Sequence, residues 1–183
     1  MIPGSLARRY ARALLGLADN GPQRDKIARD LDTFADLCKR QDSYGVPLLT
    51  VISSERYSMD ERKRVVDGFM RRLGADPILG KFLHYVLERG RAQGVPEIAR
   101  SYRRMADEAA GRVNAEITSA SPLPADALAK ITRALEQATG KQVIATTAVD
   151  PELIGGVVAK VGSYVVDGSV RSTLAQLKTS LRS

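Results

Sequence analysis

Val149–Leu181 reads V-D-P-E-L-I-G-G-V-V-A-K-V-G-S-Y-V-V-D-G-S-V-R-S-T-L-A-Q-L-K-T-S-L, and it decides the fold. Pro151 suits a first helical position, where its missing N–H costs nothing, so a one-turn helix is expected there. Gly155 and Gly156 allow a positive φ or a close backbone approach that a β-carbon forbids. Gly162-Ser163 fits a two-residue hairpin turn with glycine first. Pairing across that turn sets Val161 against Tyr164 and Ala159 against Val166. These four and Val157 then share one face, and Val158, Lys160 and Val165 the other. Asp167-Gly168-Ser169 punctuates the exit, and Ser169 or Asp167 can cap a closing helix. Val170, Leu174, Leu177 and Leu181 are spaced four, three and four apart, one apolar stripe on that closing helix.

Upstream of this stretch the period alternates between strand and helix. Val113, Ala115, Ile117 and Ser119 alternate with Asn114, Glu116 and Thr118, as in a half-buried strand. Ser121-Pro122-Leu123-Pro124 is a linker. Asp126–Ala138 carries Leu128, Ile131 and Leu135 at helical spacing, with Gly140 as the stop, and Gln142–Val149 is β-branched and strand-like. Residues 111–183 therefore read as a small α/β module.

Residues 1–110 have only the helical period. A first helix, capped by Ser5, presents Leu6, Tyr10, Ala13/Leu14 and Leu17 along one face and ends before Gly21-Pro22. A second, from about Gln23 to Arg40, carries Ile27, Leu31, Phe34 and Cys38. Leu48–Ile52 makes one or two turns. Ser58 and Glu61 form a capping box for a helix bearing Val65, Val66, Phe69, Met70 and Leu73, with Gly74 as its stop. Asp76-Pro77 opens a fifth helix with a broad stripe from Ile78 to Leu87. Pro96 starts a sixth, with Ile98, Tyr102, Met105 and Ala109. The expected fold is mostly α with a smaller α/β part: a six-helix bundle over 1–110, then the α/β module over 111–183.

Composition narrows the function. The chain has 183 residues, 44% of them hydrophobic, with 5% aromatic and no Trp. Its net charge is +7, carried by the first part: residues 1–112 hold 21 Lys/Arg and 15 Asp/Glu, and residues 113–183 hold 7 and 6. A basic half of this kind is read as a solvated arginine-rich face, or as a surface for nucleic acid, an acidic partner or an anionic membrane. A lone Cys38 excludes an internal disulfide and a cysteine-based zinc site, and its place on an apolar stripe marks a buried thiol. No apolar run approaches the roughly 18 residues of a membrane span. A start interrupted by Arg8, Arg9 and Arg12 is no signal peptide, so the expectation is a soluble, cytoplasmic protein.

Catalytic chemistry has little to stand on. His84 is the only histidine, and no triad or multi-histidine metal spacing surrounds it. The glycines of Val149–Leu181 invite a phosphate-loop reading, but the G-x-x-x-x-G-K-[ST] pattern is missing. Asp150, Glu152 and Asp167 have plain uses as caps, turn formers or partners of a helix N-terminus. No catalytic residue, cofactor or metal is expected. The arginines are spread over several helices without interleaved aromatics, which makes a basic helical nucleic-acid-binding protein the alternative rather than the leading reading.

Four blocks carry a resemblance. A-R-R-Y-A-R-A-L at Ala7–Leu14 is similar to a family's R-Y-A-x-A-L first helix, and L-E-R-G-R at Leu87–Arg91 to its fifth-helix exit. I-T-S-A-S-P-L at Ile117–Leu123 is close to its V-T-S-A-x-P-L. Val149–Leu181, with Gly155, Gly156, Asp167 and Gly168 as structural signature, is the most specific block. The family is the delta subunit of bacterial F-type ATP synthases, whose mitochondrial counterpart is the oligomycin-sensitivity-conferral protein. Pro124 departs from the family's Ser or Thr helix cap, and Tyr44–Tyr57 matches poorly. The resemblance implies a non-catalytic stator subunit that links the catalytic head to the b-subunit peripheral stalk, so that rotor torque drives ATP synthesis coupled to proton transport. It implies alpha subunits and the b-subunit stalk as partners, no nucleic acid, and membrane association only through the complex, at the cytoplasmic face of the bacterial inner membrane. In the family the first and fifth helices grip an alpha-subunit N-terminal helix. Carried over here, that surface comprises Tyr10, Ala13, Leu14, Leu17, Phe82, Leu83, Val86 and Arg89.

Overall fold

A computed structural model describes residues 3–40, 47–162, 164–170 and 172. The chain is mostly helical, with a four-stranded sheet in its last third. It divides into two compact units, Met1–Ala106 and Asp107–Ser183.

The first unit is built from α1 (Gly4–Leu17), α2 (Gly21–Lys39), α3 (Leu48–Ser53), α4 (Met59–Leu73), α5 (Pro77–Glu88), a 3-10 turn (Ala92–Gly94) and α6 (Val95–Ala109), whose last turn belongs to the second unit. Local signals fix most boundaries. In α4 the Ser58 hydroxyl accepts the Glu61 N–H at 3.3 Å while the Glu61 carboxylate accepts the Ser58 N–H at 2.8 Å, the reciprocal box read from the sequence. Those bonds hold the Glu61 carboxyl below the usual carboxylate range. Asp76 accepts the Ile78 N–H at 2.9 Å with Pro77 at the first turn of α5.

Two boundaries differ from the expectation. Gly21-Pro22 does not end a helix but begins one: Asn20 caps α2 by accepting the Gln23 N–H at 2.9 Å, and the proline sits where no N–H is needed. Ser5 is not a cap either, because α1 already starts at Gly4 with Pro3 as its cap residue and no side chain on its N–H groups.

Tyr102, Phe34, Ile27, Leu31, Leu79, Leu83 and Ile98 are fully buried in one core that draws on all six helices. Cys38 joins them, and burial pushes its thiol up to about 12, as befits an inert apolar packing group. Tyr102 is likewise pushed up to about 12 by burial, its hydroxyl donating to the Arg24 carbonyl at 3.4 Å.

The second unit is a mixed sheet in the order β2-β1-β3-β4: β1 (Arg112–Ser119), β2 (Gln142–Val149), β3 (Gly156–Val161) and β4 (Tyr164–Ser169). β1 and β2 run parallel, joined by α7 (Ala125–Thr139), as a parallel crossover requires. β3 returns antiparallel beside β1, and β4 closes the hairpin with Val161 opposite Tyr164 and Ala159 opposite Val166, the register read from the sequence. Ala115, Ile117, Val143, Ala159 and Val161 face Leu128, Ile131 and Leu135 of α7. Pro124 precedes α7 without a side-chain cap.

Beyond β2 the expected one-turn helix is a turn instead. The Asp150 carboxylate accepts the Glu152 N–H at 3.0 Å and its carbonyl the Leu153 N–H at 3.1 Å. An aspartate bonded to its own downstream backbone offers the chain an alternative to the helix. At the exit of β4, Ser169 does act as a cap, accepting the Ser172 N–H at 3.2 Å. Ser163, Leu174, Leu177 and Leu181 lie outside the described residues, so the turn type and the closing stripe are not described.

Two contacts hold this unit in register. At Gly156, φ is 82°, and a β-carbon would lie 2.3 Å from the Gly168 carbonyl oxygen. Asp107, 3% exposed, accepts from Arg112 at 3.2 and 3.0 Å and from the Asn114 amide at 3.0 Å.

We expect Gly156→Ala to cost at least about 3 kcal/mol, since backbone must move. Gly140→Ala, at φ 65° in open space, should cost only about 1 kcal/mol. Urea unfolding followed through the amides of β1 and β3 measures both, and equal costs would contradict the close approach. In the same assay Asp107→Ala should cost about 3 kcal/mol by removing the acceptor that Arg112 and Asn114 share, and Asp107→Asn, which keeps a carbonyl acceptor, less.

Candidate partner-binding surface

The face that α1 turns inward is not the face with its largest apolar residues. Ala7, Ala11, Leu14 and Ala18 are buried, whereas Leu6 and Tyr10 are half-buried, and Ala13 and Leu17 are exposed, Leu17 by 56%. Alanines let the helix axis approach the core closely, and the bulkier residues Leu6, Tyr10 and Leu17, read along one face with Leu14, lie on the flank of the buried face.

On α5 two stripes run side by side. Leu79, Leu83, Val86 and Leu87 are buried, with Phe82 at the margin, 7% exposed. Ile78, Phe82, Tyr85 and Arg89, spaced four, three and four apart, form the neighbouring row, with Tyr85 46% exposed and Arg89 exposed. The two helices meet through aromatic rings. Tyr10 packs edge-on to Phe82 with centroids 6.3 Å apart and tilted against Tyr85 at 6.3 Å. The Arg89 guanidinium carbon lies 5.0 Å from the Tyr85 ring centroid, a cation–π contact worth about 0.5–1 kcal/mol at an exposed site.

The eight residues assigned to this surface therefore separate. Tyr10, Ala13, Leu17 and Arg89 reach solvent. Leu14, Leu83 and Val86 are core, and Phe82 shows only an edge. Tyr85 was missed by sequence reasoning, although its place between Phe82 and Arg89 on the outer row was a readable signal. The surface is apolar, with an aromatic centre and the Arg89 guanidinium at its margin. Such a surface suits the apolar face of an amphipathic helix.

In the second unit Tyr164, Val165 and Val166 of β4 are exposed apolar residues, as are Ile144 and Val149 of β2. Tyr164 and Val166 share the face of the sheet that α7 covers, yet Tyr164 is 77% exposed, because the packing beneath α7 stops at β3. Val165 on the opposite face and Ile154 before β3 are exposed as well.

Residues with chemical potential are used structurally. His84 Nε2 lies 2.8 Å from an Asp67 oxygen, tying α5 to α4. Asp167 accepts from Ser169 N–H at 2.9 Å and from the Ser172 hydroxyl, and these bonds hold its carboxyl below the usual range. Gly155, Gly156 and Gly168 bring two backbone segments together, with the Val170 N–H donating to Gly155 at 3.1 Å. Among the described residues no three His, Cys, Asp or Glu side chains are grouped to hold a metal ion, and no helix is long and apolar enough to cross a membrane.

Comparison with known proteins places the chain. The ATP synthase delta (OSCP) subunit family model matches residues 6–181. The chain is 41% identical over 184 residues to the ATP synthase subunit delta of Myxococcus xanthus, covering all of this chain and 99% of that one. It is 37% identical over 183 residues to that of Anaeromyxobacter dehalogenans, with the same coverage. Its fold is similar to that of a chain in a mitochondrial ATP synthase hexamer of Toxoplasma gondii, with a TM-score of 0.70 at 22% identity, covering 97% of this chain and 98% of that chain. With its signature glycines, its four-stranded sheet and nearly all of its helical first unit inside the matched span, the chain belongs to the ATP synthase delta (OSCP) subunit family.

Proposed function

We propose that this protein is a non-catalytic stator subunit of an F-type ATP synthase, holding the catalytic head to the b-subunit peripheral stalk while rotor torque drives ATP synthesis coupled to proton transport. The observation that carries this reading within the family is the solvent-facing row of Tyr10, Ala13, Leu17, Tyr85 and Arg89 on α1 and α5. In this reading residues 1–110, the domain expected from the sequence, act as a six-helix bundle, whose outer row takes the N-terminal helix of an alpha subunit. Ala13 supplies close approach, Tyr85 and Leu17 supply apolar area, and Arg89 pairs with an acidic residue at the helix margin. Leu14, Leu83 and Val86 serve from beneath, by fixing where Tyr10 and Tyr85 stand.

Residues 111–183, the α/β domain expected from the sequence, are the stalk-side module, and exposed Tyr164, Val165 and Val166 are its candidate contacts. The protein then reaches the cytoplasmic face of the bacterial inner membrane peripherally, through the complex. A connector under torque needs stiffness between two grips rather than a reacting group. The apolar, aromatic character of the outer row fits a protein partner better than nucleic acid, whose phosphates call for convergent cations.

Calorimetry of the full chain with a peptide of the partner alpha subunit's N-terminal helix tests this. Ala13→Arg should weaken binding at least tenfold while leaving the melting temperature within about 2 °C, because Ala13 is exposed. Tyr85→Ala should weaken it by a similar factor, as a central aromatic does when truncated. Unchanged affinity in both variants would remove this face from the head contact, and no binding of the unaltered chain would overturn the reading.

A further inference from the structure

The two helices that carry the outer row differ in charge from the other long helices of the first unit. α1 holds no acidic residue, and α5 holds one, Glu88, its last residue. Cations stand at the edges of the row instead. Arg9 and Arg12 are exposed on α1, with Arg9 one turn before Ala13, and Arg89 is exposed at the end of α5. α2, α4 and α6 each contain several acidic residues, so the bias belongs to the two helices that face the proposed partner.

Glu88 is the one carboxylate of α1 and α5 that opposes this field, and it is already met. The Lys63 ammonium of α4 donates to its Oε1 at 2.5 Å. That bond above all, then the charge of Lys63 and also that of Arg89, holds the Glu88 carboxyl below the usual carboxylate range. Glu88 is therefore ionised at neutral pH, and Arg89 feels its charge. One turn back on α5 a second contact crosses to α4, with the carboxylate now on α4: His84 Nε2 lies 2.8 Å from an Asp67 oxygen. Lys63 and Asp67 are four apart on α4, as His84 and Glu88 are on α5, so the contacts are two rungs between antiparallel helices. They turn both carboxylates toward the α4–α5 seam. Lys63 is 28% exposed and Glu88 49%, and pairs as exposed as this add little to stability. What the Lys63 rung changes is the charge presented beside Arg89.

We infer that the outer row selects a helix whose apolar stripe is flanked by acidic residues, and that Lys63 sets this preference from behind by covering Glu88. The inference rests on the proposed contact between this surface and a partner helix, and it adds the chemistry of that partner. With Lys63 in place, Arg89 over the Tyr85 ring meets a partner carboxylate, and Arg9 and Arg12 meet others along α1. Without Lys63, the Glu88 carboxylate competes for the Arg89 guanidinium and repels the partner's acidic flank. Lys63 is thus a specificity-determining residue that acts through Glu88.

The test is calorimetry of the full chain with a peptide of the partner alpha subunit's N-terminal helix, and with the same peptide after its Asp and Glu are replaced by Asn and Gln. Neutralising the peptide should weaken binding about tenfold at about 0.05 M NaCl and less at about 0.5 M, where the Debye length is about 4 Å. Lys63→Met should weaken binding of the unaltered peptide about fivefold, the size of one screened charge pair. Its melting temperature should stay within about 2 °C, because the pair is exposed. The Lys63→Met/Glu88→Gln double variant should return to within about twofold of the original affinity, which a purely structural role of Lys63 does not allow. Equal binding of the two peptides, an unchanged affinity in Lys63→Met, or a loss that Glu88→Gln does not restore would overturn the inference and leave the stator reading standing. No binding of the unaltered chain to the unaltered peptide would overturn that reading, and this inference with it.

Discussion

The carboxylate of Asp107 occupies the point where the chain changes its period. It lies in the last turn of α6, just ahead of the sheet, and it accepts from Arg112 and Asn114, the first and third residues of β1. A buried carboxylate is tolerable only when its charge is met, and here a guanidinium and an amide meet it. The pair also sets the position from which β1 starts. β1 is the strand on which β2 and β3 both pair, so an error in its register would pass to every neighbour and turn apolar residues to the wrong face. This polar cluster thus anchors the start of the strand on which the rest of the sheet pairs.

Much of this was legible because the signals are local. Capping side chains, prolines in first turns and glycines at helix ends act over three or four residues, so Ser58/Glu61, Asp76-Pro77 and Gly74 could be placed from sequence alone. The hairpin register came from turn length in the same way. Where the sequence misled, a competing local bond or a tertiary choice had won. Asp150 used its carboxylate to make a turn where Pro151 suggested a helix. The inward face of α1 is chosen by packing, and small residues packed better than the bulkier stripe beside them. Sequence periodicity reports that a stripe exists, not which of two adjacent stripes the neighbours accept.

The same limit governs the binding surface. The resemblance pointed to two helices, α1 and α5, but it mixed residues that support their outer face with residues that form it. Leu14 and Leu83 look identical to Leu17 in a helical pattern, and only their burial separates a foundation from a contact. Tyr85 illustrates the converse. An aromatic that lies one position off the core row is easily assigned to solvent, yet its ring rests on Tyr10 and carries Arg89 above it. A surface of this kind is pre-organised by its own stacking before any partner arrives.

β4 has a consequence for the free protein in solution. The order β2-β1-β3-β4 makes it an outer strand, and Tyr164, Val165 and Val166 leave it apolar on both faces. An outer strand offers backbone hydrogen bonds to any extended chain that comes near, and apolar side chains on both faces add to that attraction. Collisions between two copies grow with the square of concentration, whereas folding of one copy does not. Melting points and exchange rates recorded on the isolated chain will therefore depend on how much of it is in the tube, and dilution series belong with any such measurement.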